Sequence, residues 1–528
     1  RDRSVSRGLG DVYKRQILTG IVWFIFICII GLLAILSIFK TAFIAEGETV
    51  TFNSGHWYIH IVVLAVLIFI MKIHIKIQTG KHEAGKEAET QKAHPQKLWK
   101  DGMFWAVIIV VNACISVIWI LATRMYPAAD QETLVNIAAD MRNGVYSAWQ
   151  PGGYMFLYPF QNGILLMIYA ISRIFTGNTY LAAQFVNIPF CILGIIASSM
   201  CVYKLFKSKD LMRITAILMT LWLPFAMYNT FIYGTVPGFA LMMSAYWIAL
   251  SYFEKRDVWK IVAASLLAAL SVILKSNYSI MLIALIILIA MDIIRRCNIR
   301  SIAFVIMLVV TLSAGKYTCN GITEHITGTD TPEGVPKIAW AAMGISGDYG
   351  WWDGYNIYIY GVNNYDSELA KKGSWERIDL CIEQFVKKPL SFVRFFAGKI
   401  VSEWCEPTFQ SVSIQNSRSS SIEQCRFVKS FMRDEGIISH IYRFILDIFQ
   451  TLVYTGTFAW LWYGRKNITF EQMILGICLI GGFLFHIVWE AKGQYTMVYF
   501  LLIIPYAVEG WRRLTLHNNN AIIKKLRQ

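Results

Sequence analysis

Three short stretches of this chain bring together the residue types that proton transfer and anion binding require. The first reads Arg124-Met-Tyr-Pro127-Ala-Ala-Asp130-Gln131-Glu132 and lies just past the end of an apolar run. A carboxylate at the edge of an apolar layer is partly desolvated, so its basicity rises and it can take a proton from a hydroxyl. A plainer role competes, because Pro127 followed by Asp130 also reads as a helix start with Asp130 as its N-cap. The second stretch, Val272-Ile-Leu-Lys275-Ser-Asn277, ends an otherwise apolar helix on an ammonium that either snorkels to the interface or meets an anion. The third, Phe485-His486-Ile-Val-Trp489-Glu490-Ala-Lys492-Gly-Gln-Tyr495, is followed by Tyr499 and Pro505. Glu490 and Lys492 are spaced for a local ion pair, and His486, one turn lower, reads as a satisfied helix histidine.

The elements that position these groups must be membrane helices. Of 528 residues, 56% are hydrophobic, 14% aromatic and only 16% charged, and the mean hydropathy is +0.48. A soluble protein carries about 25% charged residues, so most of this chain belongs in lipid. The same figures exclude disordered, collagen-like and disulfide-scaffold classes. The net charge of +15 sits in short clusters between apolar runs, the pattern of cytoplasmic loops rather than of nucleic-acid binding. The ten cysteines show no metal-ligand spacing. Cys28, Cys114, Cys191 and Cys478 lie in apolar runs, while Cys319, Cys381, Cys405 and Cys425 share one long loop, and no disulfide is expected among them.

Windows of about 19 residues pick out apolar stretches at 17–39, 57–73, 103–121, 156–175, 181–203, 211–229, 236–253, 258–274, 278–294, 302–314, 440–463, 470–487 and 496–511. The expected fold is therefore an all-α polytopic membrane protein with about 12–13 transmembrane helices. Basic clusters at Lys72 to Lys100, Lys204 to Lys209, Lys255 to Lys260, Arg295 to Arg300, Arg465 with Lys466, and the tail from Arg512 are expected on the cytoplasmic side of the plasma membrane. Three candidate spans lie between the first two clusters, and an odd number cannot join two points on one side. The stretch from Phe156, with Pro159, Asn162 and Gly163 near its start, is expected to be re-entrant or interfacial; an unrecognised short crossing is the other repair. On this topology the Asp130 stretch, the Lys275 corner, a loop of roughly 120 residues from Lys316 to Ser439 and the Glu490 corner all face outward.

The chain divides accordingly. Residues 1–16 resemble translated adaptor sequence and are set apart from the fold. Residues 17–102 give two transmembrane helices and a basic cytoplasmic loop, and 103–315 a transmembrane core whose first outer loop is 122–155. A large extracytoplasmic loop spans 316–439, followed by C-terminal transmembrane helices over 440–511 and a basic cytoplasmic tail over 512–528. In the large loop Trp351, Trp352 and Asp353 set aromatic rings beside an acid, the combination that stacks on sugar C–H faces and binds hydroxyls; an aromatic interface belt explains them equally. Amphipathic runs at 374–386 and 390–404 read as juxtamembrane helices. Phe392, Phe395, Phe396, Ile400 and Trp404, with Arg394 and Lys399, read as one lying on the membrane surface.

From about Met103 to Trp511 the order and spacing of these features resemble the membrane-embedded, polyprenyl-phosphate-sugar-dependent glycosyltransferases of the GT-C fold. The likeness is to the family 39-like branch that holds protein O-mannosyltransferases and lipid A aminoarabinose transferases. In that branch an Asp-Glu pair follows a membrane helix in the first outer loop, then a short helix, a Gly, an aromatic-rich stretch and a Pro opening the next helix. Asp130 matches the first acid, which implies a catalytic base; Gln131 stands at the second position, with Glu132 beside it as a substitute. Lys275 matches the Thr-Lys-Gly-like corner that reaches the donor phosphate. Lys492 and Tyr495 match a Lys-then-Tyr place ahead of a Pro-containing helix, where Glu490 would hold the lysine and Arg124 would assist at the phosphate. Gln131, Glu132, Glu490, Tyr495, Trp351, Trp352 and Asp353 are the substrate contacts this reading implies. The degenerate acidic pair, and Tyr233-Gly-Thr-Val-Pro237 where many relatives carry an acid, weaken the family's role for a divalent metal such as Mg or Mn, and no other cofactor is implied.

The resemblance implies inverting transfer of a hexose or pentose from a polyprenyl-phosphate donor to a lipid, polysaccharide or protein acceptor at the outer membrane face. Lys275, Lys492 and Arg124 would stabilise the leaving phosphate and Asp130 would take the acceptor proton. The sequence has no Gly-rich phosphate loop, and nucleic acid is not an expected partner. The competing class is a lipid-linked glycan flippase or other transporter, with an O-antigen-ligase-like enzyme as a second alternative. A transporter concentrates charge at mid-helix depth in repeated halves, whereas this sequence has no internal repeat and places its polar features in outer loops.

Overall fold

The computed structural model describes residues 2–45, 48–84, 96–296, 298–416 and 424–526. The chain is an all-α polytopic membrane protein with one short β-hairpin. Eight of the described helices are long and apolar enough to cross a membrane: Ile17–Phe39, Asp101–Thr123, Thr179–Phe206, Thr235–Lys255, Ser276–Arg296, Ile299–Thr327, Ile437–Gly464 and Glu471–Val488. Two bent pairs raise this to as many as ten: Ser147–Leu157 with Pro159–Ile174, at 93°, and Lys209–Leu221 with Leu223–Thr230, at 56°. Three further stretches expected as spans differ in kind. Trp57–Ile70 and Val258–Leu274 are apolar but short, and helix Gly493–Leu526 carries Gln494, Glu509, Arg512 and Arg513 along its length.

Two departures from the sequence reading concern chain that was expected to be loop. Helix Ile299–Thr327 continues thirteen residues past the expected end at Ala314 and stops only at Gly328, which adopts φ 69° as its C-cap. No proline precedes that glycine and the helix carries Gly315 and Gly321 within it, so Lys316 and Cys319 are helical and the loop begins later than expected. Between the first two helices, β1 (Lys40–Ile44) pairs antiparallel with β2 (Val50–Ser54), Lys40 opposite Ser54 and Ile44 opposite Val50. Alternation buries Ala42 and Ile44 on one face, a period of two that is masked by the flanking apolar helices. Of the basic loop Lys72 to Lys100, residues 85–95 lie outside the described residues.

The bundle is held by close helix contacts. A Cβ on Gly510 would land on the Gly456 carbonyl oxygen, so helix Gly493–Leu526 and helix Ile437–Gly464 touch backbone to backbone, as small residues allow in lipid. Helix Trp57–Ala84 is pinned to the second of these by buried His60, whose Nε2 lies 3.2 Å from Asp447. At one end of the bundle, acids sit among bases: Asp101 with Lys209 and Arg213, Glu254 with Lys204 and Lys207, Asp292 with Arg256, Glu471 with Arg295, and Glu509 with Arg512 and Arg513. The Asp130, Lys275 and Glu490–Lys492 stretches lie at the other end.

The odd span count turns on the segment from Phe156. Gln161, just before helix Asn162–Ile174, bonds the Tyr233 hydroxyl, and Tyr180, at the start of the following helix, donates to the Thr230 carbonyl at 2.7 Å. Both flanks of the helix thus meet one turn, residues 230–233, and the segment bends by 93° from the helix before it, at Pro159 where the irregularity was expected.

Positive-inside asymmetry around Arg295–Arg300 and Arg465-Lys466 leads to the expectation that the loop between helices Ile299–Thr327 and Ile437–Gly464 lies outside. Its Cys425 is exposed, whereas Cys319 and Cys405 are buried. A membrane-impermeant thiol reagent added to intact cells should therefore label the Cys425 peptide, as read by mass spectrometry. Labelling that appears only after the membrane is opened would reverse the orientation.

Candidate functional site

Asp130 opens helix Asp130–Arg142, but the N-cap is Ala129, at φ 52°, with no side-chain cap bond. The capping role weighed for Asp130 is therefore absent. Its Oδ2 instead accepts a hydrogen bond from the Tyr233 hydroxyl at 2.9 Å, and that hydroxyl accepts one from Gln161 Nε2 at 2.5 Å. Tyr233 reaches this place because Gly234 takes φ 75° and has no Cβ; one there would strike the Leu274 carbonyl. The turn therefore closes directly onto the Leu274–Lys275 corner.

That approach lays the Tyr233 ring 4.8 Å from Lys275 Nζ, with the Tyr495 and Phe231 rings at 5.4 and 5.9 Å. Nζ also donates to Thr235 Oγ1 at 2.9 Å. Lys275 is buried among these groups rather than extended to water, a cation held by ring faces. Burial pushes its pKa down to about 7, against the pull of Asp130 and Glu490. Tyr233 is the residue that sequence reasoning passed over. The stretch Tyr233 to Pro237 drew notice only for lacking an acid, yet its phenol joins the Asp130 carboxylate to the Lys275 ammonium.

The third stretch forms a corner between helix Glu471–Val488 and helix Gly493–Leu526, tied down from several sides. Lys399 Nζ donates to the carbonyls of Gly344 and Trp489. Ala491 N–H donates to the Gly350 carbonyl at 2.8 Å, Lys492 N–H to Glu403 Oε1 at 3.3 Å and Gln494 N–H to Gln410 Oε1 at 3.2 Å. Lys399 and Glu403 belong to helix Pro389–Trp404, and both are buried. This corrects the expectation of a membrane-surface helix for its second half. Leu390, Phe392 and Val393 at its start are exposed, but from Lys399 on it is a strut under the corner. Burial pushes the Lys399 pKa down to about 8 and that of Glu403 up to about 8, and each opposes the other's shift.

On this corner Lys492 is paired with Glu490, at 3.7 Å, and more closely with Glu48 from the tip of the β1–β2 hairpin. Burial works against its ammonium, but Glu48 and Glu490 outweigh that and hold the pKa above the usual lysine value. Burial raises Glu490 to about 7, with Lys492 pulling the other way. Tyr495 donates to Glu490 at 3.4 Å. Glu48 lies in a part of the sequence outside the family resemblance, and no spacing rule could have joined residue 48 to residue 492. His486 does not read as a satisfied helix histidine: neither ring nitrogen has a hydrogen-bond partner among the described residues, and the ring stacks on Tyr495 at 5.5 Å.

The remaining expected contacts separate from this group. Gln131 is buried and its Oε1 accepts from the Ile232 N–H at 2.7 Å, bracing the turn that carries Tyr233. Glu132 is exposed and takes no part in these contacts, and Arg124 is exposed at φ 47° beyond helix Asp101–Thr123. Trp351 is buried against Ile44, Val50 and Ala491, with its indole N–H donating to Ser402 at 3.0 Å, so it supports the hairpin and the corner. Trp352 is 50% exposed. Asp353 binds Arg377 at 2.7 Å and accepts the Tyr355 N–H, a loop-closing role.

The donor set does not fit a divalent ion. Gln131 is spent on a backbone N–H, Glu132 stands apart, and the carboxylates of Glu490 and Glu48 are interleaved with lysines. No group of three or more His, Cys, Asp or Glu suited to a metal occurs among the described residues. Compared with known proteins, the chain matches no family model and no curated protein.

A carboxyl group whose pKa is raised in the folded state binds a proton that the unfolded chain releases. For Glu490 this favours folding below about pH 4.5 and is lost as pH rises toward 7. In detergent-solubilised protein, Glu490→Gln should therefore melt at a temperature that falls less between pH 5 and pH 7.5 than wild type does. Identical slopes for the two proteins would mean that Glu490 is not buried as a neutral acid.

Proposed function

We propose that the protein is an integral-membrane glycosyltransferase that takes a sugar from a polyprenyl-phosphate donor and passes it to a hydroxyl acceptor at the membrane surface. The observation that carries this reading is the juxtaposition, at the end of the bundle away from the basic clusters, of Asp130, Tyr233 and Lys275. A carboxylate able to accept a proton and a buried ammonium able to meet an anion are bridged there by one phenol. The reaction needs this pair of charges, because bond formation releases a proton from the acceptor while bond cleavage leaves charge on a phosphate.

In the proposed step the acceptor oxygen attacks the anomeric carbon from the side opposite the phosphate. The new C–O bond forms as the bond to the phosphate oxygen breaks, with inversion, and the acceptor proton passes to Asp130. The Tyr233 hydrogen bond fixes which carboxylate oxygen is free to receive it. Lys275 and Lys492 meet the phosphate, and their burial makes each contact stronger than it would be in water. The corner carrying Lys492 is preorganised by Lys399, Glu403 and Gln410, so little reorganisation is left to the chemical step. Incubation of purified protein with a panel of polyprenyl-phosphate sugars, following free polyprenyl phosphate by mass spectrometry, tests the reading; release with none of them would reject it.

Two substitutions sharpen the test. Lys275→Ala and Lys492→Ala should each lower donor use roughly tenfold to hundredfold, the worth of one charge-assisted hydrogen bond. Stable variants with wild-type kinetics would leave both lysines structural.

Asp130→Asn keeps the size of the side chain and its bond from Tyr233, but removes the proton acceptor. Turnover should fall about 10² to 10⁴-fold while donor affinity and melting temperature stay close to wild type. Full turnover in a folded Asp130→Asn protein would take Asp130 out of the mechanism. Glu132→Gln, which alters an exposed residue outside the constellation, serves as the control and should be mild.

A further inference from the structure

Charge balance at the site raises a question that the proposed chemistry leaves open. Two ammonium groups, Lys275 and Lys492, face three carboxylates, Asp130, Glu490 and Glu48, and Lys492 feels all three. A phosphate brings one or two more negative charges into a largely buried place, where unmatched charge is costly. A carboxylate must therefore withdraw from the lysines or take up a proton. Asp130 is held by Tyr233, and Glu490, 4% exposed and bonded by Tyr495, can answer by taking up a proton but has no room to withdraw.

Glu48 differs from both. Its side chain keeps 32% of its exposure, and its backbone sits at φ 61°, in a region that residues with a Cβ avoid. The hairpin that carries it has anchors of its own. Ala42 N–H donates to the Cys405 carbonyl at 3.1 Å, and Ile44 and Val50 pack on Trp351 and Ala491. The Glu48 side chain can therefore swing toward water while β1 and β2 stay docked.

Resting on the reading of this site as one for an anionic lipid, we propose that Glu48 is a built-in counter-ion of Lys492 that the ligand's phosphate replaces. Its carboxylate offers Lys492 the oxygen pair that a phosphate offers, and it holds the ammonium in place when no ligand is bound. The contact selects for an anion strong enough to displace a carboxylate, and it disfavours neutral amphiphiles that would otherwise partition to the same place. Removing this carboxylate should strengthen phosphate binding, the reverse of what loss of a supporting ion pair would do.

The test uses the full chain in lipid nanodiscs, with farnesyl monophosphate as probe and farnesol as its uncharged control. Glu48→Gln should bind farnesyl monophosphate about tenfold more tightly than wild type, with farnesol affinity unchanged. Glu48→Asp, one methylene shorter in reach, should shift the same way by a smaller factor, and it carries the test if Glu48→Gln does not fold. Unchanged or weaker phosphate binding in a variant that melts like wild type overturns the proposal. If Lys492→Ala still weakens that binding, the lipid-phosphate reading of the site survives such a result. Failure of the reading looks different: the probe and its control bind alike to wild type, Lys492→Ala and Glu48→Gln, and the proposal falls with it.

Discussion

Keeping charged side chains out of water at the end of an apolar bundle is the constraint from which the rest of this structure follows. A lysine ammonium is costly to bury alone, so each buried lysine of the site is surrounded by groups that answer it. Lys275 has three ring faces and a threonine oxygen, Lys492 has two carboxylates, and Lys399 has two backbone carbonyls. These partners come from the hairpin, the 230–235 turn, the large loop before helix Ile437–Gly464 and the last two helices. Satisfying three cations therefore fixes the relative places of elements far apart in sequence. The acids are answered in turn: Lys492 and Lys399 pull against the burial that pushes Glu490 up to about 7 and Glu403 up to about 8.

The two ends of the molecule solve this problem differently. At the basic end the pairs stand near the periphery, where exchange with water is cheap; Lys207 and Arg512 are more than half exposed. At the site end Lys275, Lys399 and Glu490 are buried, and their partners are largely neutral or shared, while Asp130 opens to the surface. Groups in that second setting respond strongly to a ligand, because each has little solvent to compensate a change in its neighbours. The contrast supports placing the proposed site at one end and an anchoring role at the other.

Much of the architecture was legible in the sequence because membrane helices declare themselves by length and composition. Pro159, Asn162 and Gly163 marked the stretch from Phe156 as irregular, and its helix does bend by 93° from the one before it. The Asp130, Lys275 and Lys492 stretches were visible as polar interruptions of apolar runs. What stayed hidden were pairings that depend on the fold. Tyr233 drew no notice because an aromatic beside a membrane helix is ordinary, and only the missing Cβ of Gly234 brings it against Lys275. Lys399 looked like a surface cation because its helix is amphipathic at its start, and the burial of the second half comes from the Trp489 corner above it. Trp351 and Asp353 had the right types for a sugar site, but residue type cannot tell a binding surface from a packed one.

The hairpin gives the first membrane helix an unusual mechanical position. Helix Asp2–Phe39 passes into β1 at Lys40 with no intervening loop, and strand pairing fixes the register from there to the turn that bears Glu48. Strand register moves in whole residues, and a slip of one would turn every side chain to the opposite face. The helix and the hairpin therefore act as one lever, with its long arm in the bilayer and its tip on Lys492. A change in hydrocarbon thickness that tilts or shifts the first span would be passed along this register toward Lys492.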